Sequence, residues 1–127
     1  MTLIELFIAL ICHGGVCHTD RIYVTPAAMA IASCESGDGY HFGTYDFTAR
    51  NTVTGDGGAW QFNDATAMWI FGTDHVERLA PATQYDGFVR LWDDGYGWRH
   101  WASSKRCWSQ WITINSEGRA VYDDSQR

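Results

Sequence analysis

The chain has 127 residues, with 15 acidic against 9 basic side chains and a formal net charge of −6 at pH 7. This length is enough for one domain around a single core. The acidic balance and the lack of a basic stripe exclude a nucleic-acid-binding protein, and they provide no long-range attraction to an acidic polymer.

Residues 1–24 form a hydrophobic segment that also carries cysteine and histidine. Its apolar side chains recur at helical spacing, at Leu3, Leu6, Phe7 and Leu10. We therefore predict a helix here that packs on the domain or on an assembly partner. The run is far too short to cross a bilayer, which takes about 20 apolar residues. It also lacks the basic start and the small-residue cleavage site of a secretion signal.

Four cysteines suggest a protein that works in an oxidising compartment. Cys12 and Cys17 flank a Gly-Gly pair, and each is followed by a histidine, His13 and His18. A local disulfide is the simplest interpretation, and a zinc site is the alternative. Because adjacent Cys and His side chains have difficulty turning toward one ion, we favour the disulfide and predict neither a metal ion nor a cofactor.

A helix is predicted from Pro26 to Glu35. Thr25 suits the N-cap, proline suits the first helical position, and the run that follows is apolar on almost every face. Gly37 and Gly39 are stop signals. Glu35 then lies in the last turn, where the negative end of the helix dipole and apolar neighbours both raise the pKa of its carboxyl group. An acid protonated near neutral pH suits proton donation in glycoside cleavage, and the alternative is a Glu that merely caps a helix end in solvent.

Two further helices are predicted. The first begins at Asn63 or Asp64 and ends at Gly72, and the second begins near Pro81 and ends by Gly95. The second helix carries an apolar stripe that we expect to face the core, formed by Tyr85, Phe88, Val89 and Trp92.

The remaining segments are less regular. For the residues between Gly37 and Gly58 we predict a small hairpin or an irregular lobe. Residues 115–127 are polar and follow the last apolar anchors, so we take 25–114 as the domain and 115–127 as a tail.

Three motifs occur in order along this domain. Residues 34–37 read Cys-Glu-Ser-Gly, residues 58–62 read Gly-Ala-Trp-Gln-Phe, and residues 97–101 read Gly-Trp-Arg-His-Trp, with Cys107 close behind. Together they resemble the lysozyme-like superfamily, in its resuscitation-promoting-factor and lytic-transglycosylase branch, over residues 26 to 108. The chain departs from that pattern in a longer segment from 38 to 53 and in extra residues between Trp101 and Cys107.

The resemblance implies a fold and a disulfide. The fold is α+β and predominantly helical, with a small irregular or β lobe beside a sugar-binding groove. The disulfide joins Cys34 to Cys107, and closing a loop of that length contributes about 4 kcal/mol in the chain-entropy model.

The resemblance also implies site residues. Glu35 is the general acid. Gln61 either hydrogen-bonds a sugar N-acetyl group or only satisfies loop backbone, and Thr54 contacts substrate or orders its turn. Ser36 orients Glu35 or caps backbone. Trp98 stacks on sugar or belongs to the core, since a pyranose packs flat on an aromatic ring.

A second carboxylate decides the mechanism. Asp38, Asp46 and Asp56 are the candidates, and the sequence does not choose among them. With one convincing Glu, the sequence favours a lytic transglycosylase, in which the 6-hydroxyl of muramic acid attacks intramolecularly. A hydrolytic muramidase is the alternative, and a non-catalytic glycan-binding module of a phage tail is another.

The expected partners are peptidoglycan glycan strands. We expect the protein to act outside the cell on the wall, or as a virion component that reaches the wall by a phage route.

Overall fold

A computed structural model describes residues 3–13 and 16–123. Within them the chain is a mixed α+β protein, which confirms the predicted class at that level. The strands are β1 (Ile4–His13), β2 (Val16–Val24), β3 (Ile112–Ile114) and β4 (Ala120–Tyr122). The α-helices are α1 (Pro26–Glu35), α2 (Asp64–Phe71), α3 (Pro81–Trp92) and α4 (Lys105–Trp108). Short 3₁₀ segments lie at Val76–Arg78, Asp93–Gly95 and Trp98–Ser104.

The N-terminal segment is a β-hairpin, so the prediction of a helix there was wrong. β1 and β2 pair antiparallel, from Ile4 opposite Val24 to Cys12 opposite Cys17. The run is rich in Ile, and a Gly-Gly pair separates its two halves, which favours a hairpin over a helix. The side chains of Cys12 and Cys17 lie outside the described part of the structure, and so does the choice between a disulfide and zinc.

α1 is the central helix of the core, and it begins and ends as predicted. The Thr25 side chain accepts a hydrogen bond from the Ala28 amide at 3.2 Å, and Pro26 occupies the first turn. The helix is buried from Ala28 to Ser33 and ends at Glu35. Gly37 follows, and a Cβ there would lie 2.3 Å from the Thr44 carbonyl oxygen, so only glycine admits this close approach.

α2 also matches its prediction. The Asn63 side chain accepts a hydrogen bond from the Thr66 amide at 2.9 Å, and the helix ends at Gly72 in the left-handed conformation. None of the helices in the described ranges is long and apolar enough to cross a membrane.

α3 begins at Pro81 as predicted, but its buried face differs in one position. Val89 is 49% exposed, so placing it in the core was wrong. The buried face instead includes Gln84, Gly87, Phe88, Leu91 and Trp92.

Gln84 is a buried polar hub that the apolar pattern did not reveal. Its amide nitrogen donates to the carbonyls of Phe47 and Val76 at 3.0 and 2.9 Å, and its oxygen accepts from the Ala59 amide at 3.0 Å. The side chain therefore connects α3 to the loop that follows α1 and to the turn before α2.

Tryptophan side chains form a second set of long-range connections. The indole N–H of Trp60 donates to the Ala28 carbonyl at 2.8 Å, and that of Trp101 donates to the Trp60 carbonyl at 2.8 Å. Trp108 donates in turn to the Trp101 carbonyl at 2.9 Å. All four residues are buried, so Trp60 belongs to the core.

The lobe between Gly37 and Gly58 is irregular, one of the two forms predicted for it. Its only ladder contacts among the described residues are isolated bridges that join Gly57 to Arg50 and to Phe62. At the other end of the chain, β4 pairs with β3 and Ala120 is buried. A strand and a core residue thus lie within the segment predicted as a polar tail.

The disulfide between Cys34 and Cys107 is present, which confirms the predicted pairing. It links residues 73 apart, and the chain-entropy model assigns a loop of that size about 4 kcal/mol of stability. The bond ties the last turn of α1 to α4.

Candidate active site

Glu35 lies at the C-terminal end of α1 and is partly buried. Burial is the main cause that raises the pKa of its carboxyl group to about 7, and the negative charge of Asp56 is the second cause. A hydrogen bond from the Ser104 side chain acts in the opposite direction. A substantial fraction of this carboxyl group is therefore protonated at neutral pH, as predicted from its place at the helix end.

Asp56 is the candidate second carboxylate whose charge acts on Glu35. It lies in the Gly-rich turn before α2, where its carbonyl accepts from the Asn51 amide at 2.8 Å. Its own amide donates to the Thr54 hydroxyl at 3.3 Å. The turn thus fixes the backbone on both sides of this carboxylate.

An ion pair holds the same turn against the body of the protein. Arg50, which forms a bridge with Gly57, donates to the Glu77 carboxylate at 2.9 Å. The other oxygen of Glu77 is buried without a hydrogen-bond partner in the described structure. Because only one oxygen of the buried Glu77 carboxylate is hydrogen-bonded, loss of Arg50 would leave that charge buried and unpaired. Arg50 and Glu77 therefore act together to hold the turn that carries Asp56.

The other two candidate carboxylates are engaged in loop structure. Asp38 accepts from the amides of Tyr40 and His41 at 2.8 Å, and the His41 ring nitrogen lies 2.7 Å from its second oxygen. These bonds lower the pKa of Asp38 well below its ordinary value, the His41 side chain being the largest cause. Asp46 accepts from the amide and hydroxyl of Thr48 at 2.8 and 2.6 Å.

Ser36 connects the lobe to α1. Its hydroxyl accepts from the Asp46 amide at 2.9 Å and lies 3.4 Å from the Ala32 carbonyl. This geometry corresponds to the backbone-capping alternative for Ser36. It fixes the chain directly after Glu35.

Gln61 follows the Gly-rich turn with a positive φ of 52°. Its amide nitrogen donates to the carbonyls of Gly58 and Ala49 at 3.0 and 3.3 Å. The side chain also borders a surface depression with Asn63 and His100. Its nitrogen therefore orders loop backbone, the second of the two roles predicted for it.

Thr54 and Trp98 also have structural contacts. Thr54 is exposed, and its hydroxyl accepts from the Asp56 amide. The Trp98 indole donates to the Gly118 carbonyl at 3.0 Å. The Arg99 guanidinium carbon and the Lys105 ammonium nitrogen lie 4.6 and 5.3 Å from the centre of the Trp98 ring. Those cations lie over the ring on which a stacked sugar would have to pack.

Ser104 is the residue at Glu35 that the sequence did not single out. A signal was present, because Cys34 directly precedes Glu35 and Cys107 follows Ser104 by three residues. Pairing these cysteines brings the segment that contains Ser104 to the end of α1. The disulfide does not indicate which of Asp38, Asp46 and Asp56 acts on Glu35, because that depends on how the Gly-rich turn folds back.

The site therefore combines a partly buried acid, a second carboxylate and a hydroxyl donor. Among the residues whose side chains the structure describes, no group of three or more His, Cys, Asp or Glu is arranged to bind a metal ion. Comparison of the sequence with protein-family models, with curated proteins and with solved structures finds no match.

Proposed function

We propose that the protein is a peptidoglycan-cleaving glycosidase that acts on the β-1,4 bond between N-acetylmuramic acid and N-acetylglucosamine. The observation that carries this proposal is Glu35, a partly buried carboxyl group whose pKa is raised to about 7 by burial and by the charge of Asp56. A proton donor that is still protonated at neutral pH is what cleavage of a glycosidic bond requires. The three motifs that resemble lysozyme-like proteins, and the Cys34–Cys107 disulfide that the resemblance implied, support the same class and its fold.

The first step is proton donation from Glu35 to the glycosidic oxygen while the bond from that oxygen to the anomeric carbon breaks. The sugar gains oxocarbenium character, and the charge of Asp56 stabilises it. Glu35 is left as a carboxylate.

In the preferred second step, the 6-hydroxyl of the same muramic acid attacks the anomeric carbon. Glu35 takes the hydroxyl proton and so returns to its starting state. The product carries a 1,6-anhydro ring, and no water is consumed. Proximity of the internal nucleophile replaces an activated water.

One observation favours a hydrolytic muramidase as the second candidate. Asp56 is near enough to Glu35 to raise its pKa, whereas Asp38 and Asp46 are bound within their own loops. A carboxylate facing the acid is the partner that hydrolysis needs, either as nucleophile or to activate water. The substrate and the role of Glu35 are the same in both candidates, and the products differ.

The place of action that fits this substrate is the bacterial wall outside the cell, and a phage virion is the alternative carrier. Contacts within the groove must bind the substrate, because the net charge of −6 gives no long-range attraction to an acidic wall.

Digestion of purified peptidoglycan tests the proposal, with released fragments identified by mass. We expect the wild type and Glu117→Gln to release fragments and Glu35→Gln to release none. Glu117 is an exposed glutamate in the turn between β3 and β4, so it is a matched control. Anhydro ends identify a transglycosylase, and reducing ends that disappear in Asp56→Asn identify a muramidase. Binding of glycan without release by the wild type contradicts the enzyme and favours a glycan-binding module.

A further inference from the structure

The segment that carries Trp98 is basic in a chain that is acidic overall. Residues 95–116 contain no Asp or Glu, and they hold three of the nine Lys and Arg residues of the chain, Arg99, Lys105 and Arg106. All three residues are exposed, and we call them the basic surface. Its charge is opposite in sign to the net charge of −6.

Two of these cations share one aromatic ring. The Arg99 guanidinium carbon lies 4.6 Å from the centre of the Trp98 ring, and the Lys105 ammonium nitrogen lies 5.3 Å from it. The ring is itself held in place, because its indole N–H donates to the Gly118 carbonyl at 3.0 Å. Each cation is attracted to the ring but repels the other, so an anion that contacts both of them relieves the repulsion.

The carboxylates of the chain do not supply that anion. Among the described residues, no salt bridge joins the basic surface to an Asp or a Glu. The acids that flank residues 95–116 have other partners. Asp94 pairs with Arg119 at 2.8 Å, and Glu117 accepts from the Tyr96 hydroxyl at 3.3 Å. The basic surface is therefore open to an anion from outside the described chain.

The disulfide places the basic surface beside the candidate site. Arg106 directly precedes Cys107, and Glu35 directly follows Cys34, the other half of the bond. Consecutive Cα atoms are about 3.8 Å apart and the two cysteine Cα atoms lie 5.9 Å apart, so the Cα atoms of Glu35 and Arg106 are within about 14 Å of each other. An anionic group attached to a substrate at Glu35 is thus within reach of the basic surface.

We propose that the basic surface binds the carboxylate groups of the stem peptides that peptidoglycan carries on its muramic acid. The inference rests on the proposed function and deepens it, because it adds the peptide to the part of the substrate that the protein recognises. A stem peptide of about four residues extends about 13 Å, so its carboxylates can reach the basic surface while its muramic acid lies at Glu35.

The chemistry of the two cations on Trp98 suits a carboxylate. The planar guanidinium of Arg99 presents paired N–H donors that match both oxygens of a carboxylate, and Lys105 adds a compact second charge. The net charge of the chain opposes attraction at long range, whereas the basic surface acts at contact, where screening by salt and by distant acids is weakest.

Binding to peptidoglycan freed of wall polymers, with its stem peptides intact, tests the proposal. Glu35→Gln serves as the parent protein, so that the substrate is not consumed, and the bound fraction is measured by sedimentation. We expect the added pair Arg99→Gln and Lys105→Gln to weaken binding about tenfold, because two exposed ionic contacts are lost. The pair Arg78→Gln and Arg90→Gln changes the net charge equally at exposed positions elsewhere and should bind as the parent does. Equal affinities of the two pairs overturn the proposal.

Glycan strands from which an amidase has removed the stem peptides provide the second substrate. There the Arg99→Gln and Lys105→Gln pair should bind as well as the parent, and a tenfold loss on these strands overturns the assignment to the peptide. A loss seen only on walls that retain phosphate-containing polymers overturns it in favour of phosphate. The exchanged pair Arg99→Lys and Lys105→Arg keeps both charges and should retain most of the affinity. A loss as large as that of the glutamine pair contradicts recognition by charge.

The two proposals fail in different ways. If the wild type releases fragments, Glu35→Gln does not, and the glutamine pair binds as its parent does, the proposed function stands and only the basic surface is wrongly assigned. If the wild type releases nothing while binding still depends on the stem peptides and on Arg99 and Lys105, the enzyme is wrong. The basic surface then belongs to a module that binds peptidoglycan without cleaving it.

Discussion

Replacing Glu35 by Gln should stabilise the protein at alkaline pH. The folded-state pKa of Glu35 is raised from 4.5 to about 7, so the folded protein holds a proton that the unfolded chain has released between those values. The free energy of unfolding therefore falls as pH rises through this window, and the loss is complete above pH 7. A glutamine of the same shape carries no charge to desolvate and avoids the loss.

The expected size follows from the pKa difference. Each pKa unit corresponds to about 1.4 kcal/mol, so the full difference amounts to about 3 kcal/mol. Glu35→Gln should be more stable than the wild type by about that amount at pH 8, and the advantage should vanish at pH 4, where Glu35 is protonated in both states.

Urea denaturation of both proteins at the two pH values measures this difference. Other groups titrate alike in both proteins, so the change between pH 4 and pH 8 in the difference of unfolding free energies isolates Glu35. Glu117→Gln is the matched control and should show no comparable pH-dependent gain. If the Glu35→Gln advantage does not grow with pH, the carboxyl group is not desolvated as the structure indicates.

Three further perturbations have defined outcomes. Asp56→Asn should lower the pKa of Glu35 by less than burial raises it, because burial is the larger cause, and an NMR titration measures the shift. Replacing Cys34 and Cys107 together by Ala should reduce the unfolding free energy by about 4 kcal/mol in guanidinium denaturation. Gln84→Ala should cost about 3 kcal/mol in the same assay, because it leaves the carbonyls and the amide around it without partners.

A specific result would contradict each of these three predictions. Asp86→Asn makes the same charge change at an exposed position on α3, and an equal shift of Glu35 in that variant contradicts a local effect of Asp56. A double cysteine variant as stable as the wild type contradicts the entropic contribution of the disulfide. A loss of less than about 0.5 kcal/mol in Gln84→Ala, the range of an ordinary surface change, contradicts its role as a buried hub.

Local signals along the sequence were sufficient for two helices. The boundaries of α1 and α2 follow from a side-chain cap at Thr25 and at Asn63, from Pro26 in the first turn, and from glycine at the end of α2. These signals work within a single turn of chain, so they can be read without knowing what the helix packs on. The same local signals predicted that Glu35 lies in the last turn of α1 and that its pKa is raised.

Tertiary structure decided the features that depend on distant segments. Apolar spacing at the N-terminus suits a helix and a strand alike, and pairing across the Gly-Gly pair produced β1 and β2. On α3, neighbouring segments determined that Gln84 is buried and Val89 exposed. Because hydrogen bonds and charges act over a few ångströms in space, only folding could bring Ser104 and Asp56 to Glu35, from positions about 70 and 20 residues further along the chain.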